Sequence, residues 1–261
     1  MTHLAPALGE HTGGRLSRVQ WFRSSHQRGG AATGLAEFRR EDGSSQPVVV
    51  KVPVGPTEYR WTTGLSGRRG ASQAGVASTP GVLAHGMELG GYDLAWVVLE
   101  RLKGQTLHHG WSRESVEDLL LACARFQAEA ESLAAVTPAR EGMDWERQIA
   151  RAREVARQSA LPEAQHWNES VKKVQRALPH LLGLWNGRPI NAWCHGDLHP
   201  GNAMHRDGVD GLSGREPCVL IDLALVHAGH WVEDAVYLEC TPAGNGASAG
   251  RARFTASRTS T

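Results

Sequence analysis

Cysteine is scarce in this chain. There are four in 261 residues (Cys123, Cys194, Cys218 and Cys240), and none stands in a C-x-x-C pair. That spacing suggests neither a disulfide framework nor a zinc site. Charge of one sign is lacking too: 28 Lys and Arg against 27 Asp and Glu leave a formal net charge of +1. No strong field therefore selects nucleic acid or an anionic membrane. Nor is any basic run interleaved with aromatics, which argues further against a nucleic-acid partner. No apolar stretch approaches roughly 18 residues, and the opening MTHLAPALGEHTGG has no charged region followed by an apolar one. A soluble protein in a reducing, cytoplasmic setting is the default expectation. Lysine is the last scarcity: of the 28 basic residues only Lys51, Lys103, Lys172 and Lys173 are lysines. Arginine is the default cation here, so a lysine inside a strand calls for a reason.

At 261 residues the chain can bury a sizeable core, as one large domain or as two lobes. Arg15–Phe22 and Ala32–Arg39 read as strands around a loop containing Ser24, Ser25, Gly29 and Gly30. After the turn Glu41-Asp42-Gly43-Ser44-Ser45, the β-branched run Val48–Val52 predicts a short strand. Period two puts Val48, Val50 and Val52 on one face, Val49 and Lys51 on the other. Thr57 can cap a helix holding Glu58, Tyr59 and Trp61, which Gly64, Gly67, Gly70 and Gly75 break up. Val82–Glu88 and Tyr92–Leu102 look like a further antiparallel pair across Gly90-Gly91.

Beyond about residue 102 the period changes. Ser112 can cap a helix whose Val116, Leu119, Leu120, Cys123, Phe126, Ala130 and Leu133 recur at three and four. Asp144 can cap a second, and a third runs from near Pro162 toward Trp185. A short strand Ala192–Cys194, a loop over 195–202 and a hairpin of Asn202–His205 with Cys218–Asp222 follow. The expected fold is α+β: an antiparallel strand-rich lobe over 1–102, then a mainly helical lobe over 103–240. The last residues, 241–261, collapse to Gly, Ala, Ser, Thr and Arg around Phe254 and read as a disordered tail.

Residues 192–224, AWCHGDLHPGNAMHRDGVDGLSGREPCVLIDLA, carry most of the chemistry. A loop with a carboxylate (Asp197) and an amide (Asn202), then a strand delivering a second carboxylate (Asp222), can hold magnesium beside a hydroxyl that must lose its proton. Blander readings stand beside this one. Asp222 could simply cap the next turn, and Lys51 could be a snorkelling lysine on an edge strand. His199, His108 and His109 are assigned nothing, while Trp193 and Trp231 are expected in the core.

Three segments together resemble the aminoglycoside and choline kinase-like phosphotransferases, whose fold is that of protein kinases. HGDLHPGN (195–202) is similar to that family's catalytic loop, LIDLA (220–224) to its metal-binding strand end, and VVVKV (48–52) to the strand presenting the ATP-binding lysine. The resemblance covers roughly residues 15–240. It implies Asp197 as catalytic base, His195 orienting the loop, Asn202 and Asp222 as magnesium ligands, and Lys51 on the α/β-phosphates. Glu58 would pair with Lys51. Ser25, Gly29 and Gly30 lie where the phosphate-covering loop belongs, and Leu99 to Leu102, with Glu100 and Leu102 among them, where backbone groups would bind adenine. No Walker loop occurs.

The implied activity is transfer of the γ-phosphoryl of ATP, with Mg2+, to a hydroxyl of a small molecule: an aminoglycoside, a sugar or an amino alcohol. Glu163, Glu169, Glu233 and Trp231 are candidates for lining the acceptor site. The chain is expected to be a monomer or homodimer. Family members usually continue with helices past the segment resembling Val232–Glu239, so a truncated or frame-shifted C-terminus is expected. The alternative function is accordingly a nucleotide-binding pseudo-kinase with an incomplete acceptor site.

Overall fold

A computed structural model describes residues 3–22, 30–66, 77–138, 143–158, 163–206 and 217–240. The chain is a mixed α/β protein in which a five-stranded antiparallel sheet comes first and helices follow. A short helix, α1 (Leu4–His11), precedes β1 (Leu16–Phe22), β2 (Ala32–Arg39) and β3 (Ser45–Val52). Helix α2 (Pro56–Ser66) then leads to β4 (Val82–Gly86) and β5 (Trp96–Glu100). The sheet order is β1-β2-β3-β5-β4. Strand β3 is therefore central, paired with β2 and β5, and Lys51 faces Thr33 on one side and Val97 on the other. The edge-strand reading of Lys51 is corrected by that position.

The valine alternation sets the sheet's two faces. Val48, Val50 and Val52 are fully buried and join Leu8, Leu16, Phe38, Leu89, Trp96 and Val98 in one apolar cluster. Helix α1 contributes Leu8 to it, with Leu4 and Ala7 packed alongside. Val49 and Lys51 point to the other face, where α2 supplies Glu58. Although Gly64 was expected to break that helix, α2 runs through it to Ser66. An added Cβ at Gly64 would stand 2.7 Å from the Leu133 side chain, so the glycine lets two helices approach closely.

Helix α3 (Arg113–Leu133) starts on Ser112, whose hydroxyl accepts from the Ser115 N–H, as its sequence signals. It buries Leu119, Ala122, Phe126 and Ala130. Two links tie α3 to distant segments: buried Glu129 accepts from the Ser78 N–H and hydroxyl, and Arg125 donates to the Cys218 carbonyl in a partly buried bond. Strand β6 (Ala192–Cys194) precedes the 195–202 loop; β7 (Ala203–His205) and β8 (Cys218–Leu220) form the expected hairpin. Helix α6 spans Val232–Cys240.

The chain divides into two compact units. The larger holds 1–135, 193–227 and 231–261. The smaller holds 136–192 with 228–230, and is built on α4 (Trp145–Gln158) and α5 (Ala164–Asn186). Asp144 caps the first of these by accepting the Arg147 N–H at 3.0 Å. Within this unit Ala156 and Leu178 are buried.

Candidate active site

Strand β3 and helix α2 together present a cation and its counter-charge. Lys51 Nζ forms an ion pair with Glu58, which is buried on the first turn of α2. On its other side Nζ lies 3.5 Å from Asp222 Oδ1. A lysine ammonium between two carboxylates is held in one place rather than sweeping a surface.

Asp222 stands in left-handed backbone geometry, φ 65° and ψ 69°, at the head of the single turn Leu223–Leu225. Its side chain makes no capping hydrogen bond to that turn. The capping reading therefore fails, and the strained backbone directs the carboxylate toward Lys51 instead. Such backbone geometry in a non-glycine residue costs about 1–3 kcal/mol and is concentrated at functional sites.

The 195–202 loop is held from inside. His195 is fully buried, edge-on to Phe126. Its Nδ1 accepts the Asp197 N–H at 3.3 Å, so Nε2 carries the proton and donates to the Ile221 carbonyl at 3.1 Å. Burial pushes the His195 pKa below the ordinary imidazole value, against the opposing pull of Asp234, Asp197 and Asp222. A neutral ring locked at both nitrogens is a brace.

Asn202 spends its amide NH2 on Asp197, donating to the backbone carbonyl at 3.0 Å and to Oδ2 at 2.8 Å. The group it has to offer a cation is Oδ1. The Ile221 N–H donates to the Asn202 carbonyl at 2.9 Å, stitching the loop to the strand end that carries Asp222.

Three further residues belong to this site, two of them outside the motif and one, His199, inside it but assigned nothing from the sequence. Asp234, buried on the first turn of α6, accepts the His195 N–H at 2.8 Å and the Gly196 N–H at 2.9 Å, so one carboxylate fastens the loop's backbone. Tyr237, one turn further along α6, hydrogen-bonds Asp197, and that bond pushes the phenol pKa up. His199 caps the turn Pro200–Asn202 through Nδ1, which accepts the Gly201 N–H at 3.0 Å, and its Nε2 sits 3.8 Å from Asp197 Oδ2. Asp234 and Tyr237 lie three apart in sequence and so share one side of α6.

Gly196 is required by the geometry. Its φ is +80°, and a Cβ there would lie 2.2 Å from the Leu225 carbonyl oxygen.

Of the other residues singled out, Gly30, two residues before β2, has φ +91°, while Ser25 and Gly29 fall outside the described residues. Glu100 ends β5: its N–H donates to the Gly81 carbonyl and its carboxylate pairs with Arg206. Leu102 follows it, half-buried. Trp193 is in the core, edge-to-face with Trp61 at 4.6 Å. Trp231, just before α6, is not: it is 57% exposed. Among the described residues no helix is long and apolar enough to cross a membrane.

The family model described as the phosphotransferase enzyme family matches residues 34–256. No curated protein matches the chain. Among solved structures, spectinomycin phosphotransferase APH(9)-Ia, in complex with ADP and spectinomycin, superposes with a TM-score of 0.57 at 11% identity, covering 87% of this chain and 69% of that one. A thermostable mutant of aminoglycoside phosphotransferase APH(4)-Ia, in a ternary complex with ADP and hygromycin B, gives 0.52 at 17% identity, covering 90% and 75%. Identities this low speak to the fold alone, which the chain shares with these structures.

Proposed function

The chain belongs to the phosphotransferase enzyme family, and from that premise we propose that it transfers the γ-phosphoryl of ATP to a hydroxyl of a small molecule. One observation carries the reading. Lys51, Glu58 and Asp222 converge as an ion-paired set, while Asn202 and Asp197 are hydrogen-bonded on the adjoining loop. Fold resemblance alone would not require those side chains to meet.

The donor set fits magnesium. Asp222 turns a carboxylate, 46% exposed, away from any capping duty, and Asn202 retains a carbonyl oxygen after its NH2 is spent. Two hard oxygens of this kind would suffice to hold the ion, which keeps several waters. When bound, it supplies charge neutralisation along the transferring phosphate.

The protein's own residues do the rest. Lys51, fixed by Glu58, binds the nucleotide phosphates as a point charge. Asp197 orients the acceptor hydroxyl and takes its proton as the new O–P bond forms and the bond to the ADP leaving oxygen breaks. Asn202 holds the Asp197 carboxylate in one orientation. His195 and Asp234 hold the backbone that bears it. Tyr237 and His199, both beside Asp197, border the place an acceptor hydroxyl would enter. Aminoglycoside-, sugar- and amino-alcohol-like acceptors all satisfy this chemistry.

The test is magnesium-dependent formation of phosphorylated product across a panel of hydroxylated small molecules, for the wild type and Asp197→Asn. Turnover with at least one acceptor, lowered roughly 10²–10⁴-fold in the variant, is expected. Tight ATP binding with no product from any acceptor would replace this reading with that of a nucleotide-binding pseudo-kinase.

A further inference from the structure

Cys194, His227 and Glu233 come together beneath the start of the catalytic loop, with Sγ, a ring nitrogen and a carboxylate oxygen all within 4.8 Å of one another. The loop chemistry uses none of them. Cys194 is fully buried, Glu233 is mostly buried at 13% side-chain exposure, and His227 is 45% exposed. The three thus form a short path from solvent to a sulfur in the interior.

The histidine's tautomer makes the cluster informative. His227 Nδ1 lies 2.9 Å from the Leu225 carbonyl, which can only accept, so Nδ1 carries the ring proton. In the neutral ring the Nε2 lone pair then faces Glu233 Oε2 at 3.3 Å. Two acceptors facing each other repel unless a proton or a metal cation stands between them, and the third group beside them, Cys194, is a metal ligand. A backbone carbonyl on the far nitrogen is also the support metal-binding histidines use to fix the ring. In a tetrahedral site with Zn–N and Zn–O near 2.1 Å, two such ligand atoms stand about 3.4 Å apart. The observed separation matches that edge.

We propose that Cys194, His227 and Glu233 bind a zinc-type divalent transition metal, with solvent as fourth ligand. The mixed thiolate, imidazole and carboxylate set suits zinc or cobalt and disfavours magnesium, which takes hard oxygens. Such a site is separate from the Asn202–Asp222 pair and does not depend on the phosphotransfer reading. Its consequence is mechanical. Cys194 directly precedes His195, Glu233 directly precedes Asp234, and the Leu225 carbonyl that braces His227 also crowds Gly196. A metal here would clamp the entry of the catalytic loop to the first turn of α6.

The experiment is a cobalt titration of the full-length, chelator-stripped chain, followed by absorbance. One equivalent should bind and give a thiolate-to-cobalt charge-transfer band with tetrahedral ligand-field bands, displaced by zinc and not by excess magnesium. Cys194→Ser should abolish the charge-transfer band. His227→Ala, at a half-exposed position, should fold normally and bind cobalt at least about tenfold more weakly. Cys123→Ala should leave the spectrum unchanged: burial pushes the Cys123 thiol up to about 12, which keeps it protonated. A wild type without the band, a band surviving Cys194→Ser, or unaltered affinity in His227→Ala would overturn the site and leave a His227–Glu233 ion pair in its place.

Discussion

Asp222 sets a carboxylate before Lys51 at the cost of a left-handed backbone, and the cost and the benefit can be separated by substitution. Its side chain is 46% exposed, caps nothing, and shares Lys51 with the better-buried Glu58. Asp222→Ala therefore leaves no buried charge unpaired, and its effect on stability should stay within about 1 kcal/mol. Catalysis should respond very differently. If Asp222 holds magnesium as proposed, its loss should lower turnover by roughly 10²–10³, with a higher magnesium requirement. Chemical denaturation beside steady-state kinetics reads both quantities. A variant that unfolds easily yet turns over normally would remove Asp222 from the site. The sequence marked this residue because a lone carboxylate ends an apolar strand at a telling distance from HGD. It could not reveal the left-handed backbone, which depends on where the following turn must go.

Helix α6 shows what a motif omits. Its role is to hold a loop distant in sequence, through Asp234 accepting the N–H groups of both His195 and Gly196. The His195 donor is fully buried and has no other place to go, while the Gly196 donor is partly buried. Asp234→Ala removes the acceptor of both. At about 1–3 kcal/mol for a buried, unsatisfied group, with a smaller share from the partly buried one, the loss should be roughly 1–4 kcal/mol, with activity falling as the loop loosens. Asp234→Asn keeps one acceptor and should lose about half as much by urea denaturation. Equal stability of all three proteins would mean that α6 does not anchor the loop.

In the sequence Asp234 is one of several acids near the end of the chain. Only the packing of the loop against α6 tells it apart. By contrast the sheet was legible strand by strand, because Val48, Val50 and Val52 alternate with Val49 and Lys51 and turn residues bracket the runs. Helix α1 was not read: Leu4, Ala7 and Leu8 form a stripe too short to register until the sheet gives it a surface. Helix α2 was underestimated because Gly64 looks like a breaker when its close contact with Leu133 is unknown.

For the whole molecule, the buried His195 makes stability depend on pH in a defined direction. Burial holds its folded-state pKa below the unfolded value, near 6.5 for a free imidazole. Between those two values the unfolded chain binds the proton and the folded chain does not. Stability then rises with pH across that window. Above the unfolded value both states are neutral and the contribution is complete. As pH falls below about 6.5 it is progressively lost, and below the folded value the loss levels off. The ring cannot escape by rotating, since Nδ1 and Nε2 are both engaged and Phe126 packs against it edge-on.

Urea denaturation at a series of pH values from about 7.5 to 5 should thus show a falling midpoint as acid is added. His195→Gln removes the titrating group, so it should be less stable at neutral pH yet show a shallower decline. Carboxylates with ordinary values near 4 change little across this range and cannot mimic the effect. If the two proteins lose stability in parallel, the acid sensitivity belongs to other histidines and His195 does not act as a neutral brace.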